Sequence, residues 1–302
     1  MKTDILKINP FSIEQDYIIK AANIIKSGGL VAFPTETVYG LGADALNPVA
    51  CAKIFQAKNR PLEDPLIVHI ADKQDLFKVA REIYKITLDL INAFWPGPLT
   101  LVLKKQEAIP DIVTAGSDTV AVRMPDHEIA LSLIKASGTP IAAPSANLFG
   151  RPSSVTAQHV LEDLNGRIDV AIDAGKVDIG IESTILDITR NPFCILRPGG
   201  VAIEQLKRII PDVEVYRQNK ILAPGMNLRH YSPKAKLILI EGNGKTQVDR
   251  VRELAADFNL QGYPFGIMAK EENKEKYKDF KVKTLGAGNN LTECAANLFS
   301  TL

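Results

Sequence analysis

At 302 residues, with 46% hydrophobic and 24% charged side chains, the chain has the composition of an ordinary globular protein of about two domains, which excludes a disordered or fibrous chain. Its 36 basic and 35 acidic residues leave a formal charge of +1, so no global field recruits nucleic acid and any RNA contact must come from a local patch. No apolar stretch approaches the ~20 residues that span a bilayer, Met1-Lys2-Thr3-Asp4 lacks the apolar core of a leader, and Cys51, Cys194 and Cys294 are odd in number and far apart; the expectation is a cytoplasmic protein with reduced thiols and no membrane partner.

Ser12 is placed to cap a helix whose apolar residues Ile18, Ile19, Ala22 and Ile25 share a face, closed by Gly28-Gly29. Leu30-Val31-Ala32-Phe33 reads as a buried strand, which Pro34 ends because it has no N–H for a ladder. The stretch from Phe33 to Gly42 packs hydroxyls, a carboxylate and two glycines together. It reads as a βα turn at the carboxyl end of a strand, where open α/β sheets place ligands. Asn47-Pro48 caps a second helix that runs through Ile54 and Phe55 and delivers Lys58-Asn59-Arg60-Pro61. Residues 65–70 read as a strand, followed by helical segments up to Trp95 and a rigid Pro96-Gly97-Pro98 turn.

Residues 99–103 and 120–123 read as strands, Pro125-Asp126 opens a helix that ends near Gly138, and a short strand at 141–143 precedes Pro144-Ser145-Ala146-Asn147. Strands at 170–172, 183–188 and 194–196 complete the set, with Arg197-Pro198-Gly199-Gly200 turning into a helix. Helices and strands interleave without a strict βαβ rhythm, which predicts a twisted, mixed α/β sheet rather than a doubly wound parallel one. This domain is expected over residues 1–215. Residues 216–234 carry Pro224-Gly225, Asn227 and Pro233 and read as a linker; Arg229-His230-Tyr231 within it is a dense group of hydrogen-bonding side chains. Residues 235–302 predict strand (237–240), helix (248–258), strand (265–269), strand (281–285), a Gly-rich turn and a helix from Leu291, the pattern of a smaller Rossmann-like α/β domain. That last apolar pattern stops without a cap, so the natural protein is expected to continue past Leu302.

Gly242-Asn243-Gly244-Lys245-Thr246 imitates a phosphate loop but has Leu239 where the pattern needs a glycine. Gly286-Ala287-Gly288-Asn289-Asn290 lacks the third glycine of a dinucleotide fingerprint. His69, His127, His159 and His230 are scattered with no cysteine at ligand spacing, so no metal cage is expected, and His127 and His159 read as surface or capping residues. Ser145 lies between Pro144 and Ala146 rather than the glycines of a nucleophile elbow. What remains is a set of loop residues: Lys58, Arg60, Arg123, Ser145, Asn147, Ser183 and Arg197. Cations with hydroxyls and amides suit an anionic ligand such as a nucleotide with a carboxylate-bearing co-substrate. Arg123, between apolar neighbours, either pairs with a buried acid or grips a ligand carboxylate, and the chemistry leaves both open.

Taken together, Pro34-Thr35-Glu36-Thr37-Val38-Tyr39-Gly40-Leu41, Lys58-Asn59-Arg60-Pro61, Pro65-Leu66-Ile67-Val68-His69, Val122-Arg123-Met124-Pro125, Pro144-Ser145-Ala146-Asn147, Glu182-Ser183-Thr184-Ile185 and Leu196-Arg197-Pro198-Gly199 resemble the YrdC-like family. Pro224-Gly225-Met226, His230-Tyr231-Ser232-Pro233 and the small domain resemble its long, two-domain form, so the resemblance covers the whole chain. It implies a nucleotidyltransferase that joins L-threonine, bicarbonate or CO2, and ATP into L-threonylcarbamoyladenylate, releasing pyrophosphate, for threonylcarbamoyladenosine modification of tRNA. Matched motif by motif, it implies that Lys58, Arg60, Ser145 and Asn147 are catalytic and hold the triphosphate. Thr37, His69, Arg123, Ala143 and Ser183 are implied to bind threonine, and Asp64, Thr119, Ser153, Arg197 and Tyr231 to add ATP contacts. It further implies Mg2+ carried with ATP, and a downstream tRNA threonylcarbamoyl transferase complex, or tRNA itself, as partner. Glu36 and Tyr39 are expected to shape their turn. Two rival readings share the fold: an RNA-binding module, and a carbamoyltransferase of hydrogenase maturation, whose zinc-finger cysteine spacing this sequence lacks.

Overall fold

The computed structural model describes residues 2–217, 231–242 and 244–302. The chain divides into two compact units, Met1–Ser232 and Pro233–Leu302. Tyr231 and Ser232, placed by the sequence in a linker, therefore pack with the first unit, where the Ser232 N–H donates to the Gly150 carbonyl at 2.8 Å. The expected linker motif at 224–226 and the position of His230 lie outside the described residues.

In the first unit β1 (Asp4–Lys7) leads into α1 (Gln15–Lys26). This helix is entered through Glu14, not Ser12, whose N–H donates instead to the Asn9 carbonyl at 3.1 Å in a local bridge. Its buried face is Ile18, Ala21, Ala22 and Ile25, the i, i+3, i+4, i+7 set, and that rotation leaves Ile19 51% exposed. β2 (Val31–Phe33) and β3 (Gly40–Asp44) pair antiparallel, so the stretch opened by Pro34 joins two strands and is not the βα turn the sequence suggested. α2 (Pro48–Lys58) starts where Asn47-Pro48 predicts, with the Asn47 Oδ1 accepting from the Val49 and Ala50 N–H groups at 3.0 and 3.1 Å. It stops at Asn59, which is left-handed at φ 52°.

The unit continues with β4 (Ile67–His69), α3 (Leu76–Val79), β5 (Ala80–Arg81), α4 (Lys85–Phe94), β6 (Leu99–Lys105), α5 (Asp111–Thr114), β7 (Thr119–Arg123), α6 (Glu128–Ser137) and β8 (Ile141–Ala142). Then come α7 (Ala157–Leu164), β9 (Val170–Asp173), β10 (Thr184–Asp187), β11 (Cys194–Arg197), α8 (Ile203–Leu206) and β12 (Glu214–Val215). Among the described residues these strands form one twelve-stranded sheet in the order β1-β9-β2-β3-β8-β4-β7-β6-β10-β11-β12, with β5 on β6. Parallel pairs such as β4–β7 and β6–β10 sit beside antiparallel ones such as β3–β8 and β6–β7, which is the mixed sheet predicted from the irregular spacing. α1 and α6 share a core with the sheet, in which Ile18, Ile25, Ile129 and Leu133 meet Val31, Phe33, Ile141 and Ile172. In the parallel β4–β7 pair His69 stands opposite Arg123, and in β4–β8 it stands opposite Ile141. The centre of the sheet thereby gathers residues that are far apart in sequence.

The second unit holds α9 (Gly244–Leu260), β13 (Ile267–Ala269), β14 (Val282–Thr284) and α10 (Leu291–Thr301), with β13 and β14 parallel and a small core of Val248, Ala269 and Tyr277. The strand expected at 237–240 does not form. Leu237 and Leu239 are 61% and 78% exposed, and no described strand offers the ladder an isolated strand needs to satisfy its backbone. The three cysteines are free thiols, as expected. No described helix is long and apolar enough to cross a membrane.

Gly42 in β3 shows how closely the centre is packed: a Cβ there would lie 2.7 Å from Ile141 Cγ2 and 2.8 Å from Phe33 Cε1. Gly42→Ala is expected to cost about 1–3 kcal/mol of stability by overpacking. The reading is a lower urea midpoint at unchanged slope, and an unchanged midpoint would show that β3 and β8 separate freely.

Candidate active site

A cleft lies in the first unit, lined by residues from the strand ends and loops of the sheet. Thr37, His69, Arg123, Ala143 and Ser183, the residues assigned to threonine, all line it. So do Lys58, Arg60, Ser145, Asn147, Ser153, Arg197 and Tyr231, from those assigned to catalysis or ATP. Asp64 and Thr119 do not. Asp64 is fully buried, with Oδ1 2.9 Å from Arg60 Nη2. Thr119 opens β7, shares a 2.8 Å hydrogen bond with the Ser117 hydroxyl, and lines a separate, smaller hollow with Pro65 and Thr114.

The cations are fixed largely by backbone oxygens. Lys58, in the last turn of α2 and 1% exposed, donates from Nζ to the carbonyls of Ser145 and Asn147, which ties that loop to the helix. Burial, reinforced by the neighbouring Arg60 charge, holds its pKa well below the usual lysine value. Arg60 donates from Nε to the Asp64 carbonyl at 3.0 Å and from Nη2 to the Pro65 carbonyl at 2.8 Å, and stacks 5.9 Å from the Phe149 ring. Arg197 donates from Nη2 to the Ser183 carbonyl and hydroxyl at 2.9 and 3.2 Å. It is also hydrogen-bonded to Tyr231, whose hydroxyl is pushed up to about 12, mainly by burial. The Asn147 Nδ2 donates to the carbonyls of Leu148 and Arg151, whereas its Oδ1 is buried with no partner among the described residues.

Arg123, which lines the same cleft, answers the alternative its sequence context leaves open. Its Nε donates to the Gly97 carbonyl at 3.3 Å and its Nη1 to the Thr37 hydroxyl at 2.8 Å. Nη2 is 2.6 Å from Glu36 Oε2, an ion pair with both side chains buried. That contact is not aligned as a hydrogen bond, so Nη2 and both Glu36 oxygens lack a directed partner. Arg123 therefore pairs with a buried acid, and its residue also lines the cleft. Thr35 completes this corner, its hydroxyl 2.9 Å from that of Thr37 and donating to the Val38 carbonyl at 2.7 Å. His69 is held neutral, its pKa lowered to about 3 by burial and then by the Arg123 charge.

Residue-by-residue reading of the sequence missed Glu36 as the counter-ion of Arg123. It also missed Glu182, whose carboxylate lines the cleft and accepts from the Ser153 hydroxyl. The signal for both was present in the motifs: Pro34-Thr35-Glu36-Thr37 places an acid one residue from a cleft-lining threonine, and Glu182-Ser183-Thr184-Ile185 places one directly before a cleft-lining serine. His127 caps the entry to α6 with its Nδ1 buried and unpartnered, and His159 lies in α7, so neither reaches the cleft lining.

The family model described as Telomere recombination (Sua5_yciO_yrdC) matches residues 23–199, and a second, described as Threonylcarbamoyl-AMP synthase, C-terminal domain, matches residues 201–302. This chain belongs to that family. It is 46% identical to the Threonylcarbamoyl-AMP synthase of Pyrococcus abyssi and 43% identical to that of Bacillus subtilis, in each case over 96% of this chain and 85% of the relative. The crystal structure of P. abyssi Sua5 complexed with L-threonine matches at a TM-score of 0.93 and 45% identity, over 99% of this chain and 88% of that one. E. coli YciO, at 22% identity and a TM-score of 0.59 over 67% of this chain, shares the fold alone. The synthase family's two-domain organisation thus spans the chain, and neither rival reading is favoured.

Neutral His69 has a consequence for stability. Unfolding raises its pKa from about 3 to the ordinary value near 6.5, so between these values the unfolded chain binds more protons and stability falls as the pH drops. From about pH 6.5 downward His69 is expected to remove at most about 1.4 kcal/mol per pH unit. Urea midpoints of wild type and His69→Gln should converge as the pH falls from 7 to about 5, and parallel curves would show that His69 is not held neutral.

Proposed function

We propose that this cleft forms L-threonylcarbamoyladenylate and pyrophosphate from L-threonine, CO2 drawn from bicarbonate, and ATP. The product then serves a tRNA threonylcarbamoyl transferase complex, in the cytoplasm. The observation that supports this most directly is one cleft lined by two groups: Arg123 with Thr37 and neutral His69, and the cations Lys58, Arg60 and Arg197, with Ser183 tied to the second group by Arg197. A zwitterionic amino acid suits the first and a polyphosphate the second.

In this reading Arg123 and the Ser183 hydroxyl take the threonine carboxylate, and Lys58, Arg60 and Arg197 bind the triphosphate. The carbamate oxygen of N-carboxythreonine attacks the α-phosphorus in line, and the bond to the β-phosphate oxygen breaks. Fixed cations counter the charge that develops on the pyrophosphate, so positioning and electrostatics supply most of the acceleration. Tyr231, hydrogen-bonded to Arg197, covers the nucleotide side. Mg2+ fits the same arrangement as an ion carried by the phosphates. No group of three or more acidic, histidine or cysteine side chains among the described residues forms a cage, and the unpartnered Asn147 Oδ1 is a hard oxygen of the kind such an ion takes alongside phosphate and water. When bound, the ion would neutralise phosphate charge.

The test supplies ATP, labelled bicarbonate and each amino acid in turn, and follows pyrophosphate and a labelled carbamoyl-AMP adduct. Threonine alone should drive both, and label incorporation indifferent to the amino acid would overturn the assignment. Arg123→Ala should raise the threonine KM on the order of 100-fold, equivalent to about 3 kcal/mol. Calorimetric affinity for ATP should stay near wild type, and loss of ATP affinity alone would move Arg123 to the nucleotide side. Because the substitution leaves Glu36 buried without its partner, Arg123→Met combined with Glu36→Gln serves as the folded control.

A further inference from the structure

Carbamate formation needs a proton acceptor. Threonine arrives with its α-amine protonated at neutral pH, and only the free amine carries the lone pair that attacks CO2. Of the titratable groups that line the cleft, Lys58, Arg60, Arg123, Arg151 and Arg197 are cations engaged as donors or in ion pairs. Tyr231 keeps its proton to about 12, and His69 is too weakly basic at about 3. Lys58, whose basicity burial also lowers, has its Nζ committed to two carbonyls deep in the wall. Glu36 and Asp64 stand behind the arginines they pair with and do not line the cleft.

Glu182 is the carboxylate that does line it among the described residues. It directly precedes Ser183, whose hydroxyl is held 2.7 Å from that of Thr100 on β6. The Glu182 side chain is anchored on one oxygen, Oε1, by the Ser153 hydroxyl, and its Oε2 carries no protein hydrogen bond among the described residues. Its backbone is anchored as well. The Glu182 carbonyl accepts from the Gly200 N–H at 2.9 Å, and Gly199 approaches so closely that a Cβ there would lie 2.3 Å from that oxygen. Arg197 reaches over the same backbone to the Ser183 carbonyl at 2.9 Å. A carboxylate whose residue lines the cleft, fixed at one oxygen and along its backbone, is preorganised to accept a proton.

We propose that Glu182 is the catalytic base that removes a proton from the threonine α-ammonium. This rests on the synthase reading above. The ammonium gives one proton to the Glu182 carboxylate, leaving a neutral amine and a carboxylic acid. The nitrogen lone pair forms the N–C bond to CO2 while one C=O π pair moves to oxygen. The nitrogen then loses a second proton to water, giving R–NH–CO2−, and Glu182 returns its proton to solvent. One ammonium and one CO2 have become one carbamate and two protons, with no change of oxidation state.

Glu182→Gln keeps the Ser153 hydrogen bond and the size of the side chain while removing the basic oxygen. Pyrophosphate release with ATP, threonine and bicarbonate is expected to fall about 100-fold or more at pH 7 in kcat, with calorimetric affinities for ATP and threonine within a few-fold of wild type. Raising the pH from about 7 to about 9, through the α-amino range, supplies free amine from solution, so the wild-type to Gln ratio should shrink steadily. Glu182→Asp, which keeps a carboxylate, should recover part of the pH 7 rate. A Glu182→Gln rate equal to wild type at pH 7, or a deficit that stays constant across that pH range, would overturn the base assignment while leaving the synthase reading intact. A wild-type chain that releases no pyrophosphate with threonine would overturn the reading beneath it.

Discussion

The first unit is organised around the burial of positive charge. Lys58 is 1% and Arg60 7% exposed, and the Lys58 ammonium has no carboxylate within ion-pair distance among the described residues. Removing a cation from water is costly unless its donors are met. For Lys58 they are met by carbonyls of the 145–147 loop, groups that carry only partial charge, and for Arg60 by the Asp64–Pro65 backbone together with the Asp64 carboxylate. Hydrogen bonding is thereby satisfied while the Lys58 ammonium is left without a carboxylate at ion-pair distance among the described residues. An anionic ligand completes what the fold begins, and by linkage its binding stabilises the loops that hold the cations.

The surroundings of Arg123 follow a different rule. Arg123 is neutralised within the protein by Glu36, and the histidine opposite it in register is kept uncharged by burial and by the guanidinium itself. Local charge on this side is therefore close to balanced, and what it offers a ligand is direction: a guanidinium fixed by Gly97 and Thr37, with Nη2 N–H groups not spent on an aligned hydrogen bond. Such a wall suits a zwitterion, whose net charge is zero, as the cation-rich wall suits a polyphosphate.

Both walls depend on missing side chains. Gly42 lets β3 lie against Ile141 and Phe33, and Gly199 lets the β11 turn lie against the backbone of Glu182, Ser183 and Thr184. These approaches bring together elements that are remote in sequence, and they hold Ser183, Arg197 and Glu182 by backbone contact, which is stiffer than side-chain packing.

The same remoteness decides what could be read from the sequence. Helix α2 was legible because its cap, its proline and the Lys58-Asn59-Arg60 exit are contiguous, and the loops carrying Ser145, Asn147, Ser183 and Arg197 were legible as polar breaks between apolar runs. The turn at Pro34 was misread because strand direction is not encoded locally: an ended strand looks the same whether a helix or an antiparallel partner follows. The 237–240 run was misread because a short apolar run records a strand's composition and not the neighbour it needs. Ion pairing was the least legible feature. Arg123 could be recognised as needing an acid or a ligand, but its acid lies 87 residues earlier, across three strands of the sheet, and sequence spacing carries no record of that. Asp64 marks the boundary between the two kinds of knowledge. Resemblance placed it among the nucleotide contacts, and the structure places it beneath Arg60, where its carboxylate and its carbonyl both hold the guanidinium. An aspartate in that position influences a bound phosphate through the arginine it orients, so a requirement for it follows from the geometry of its neighbour.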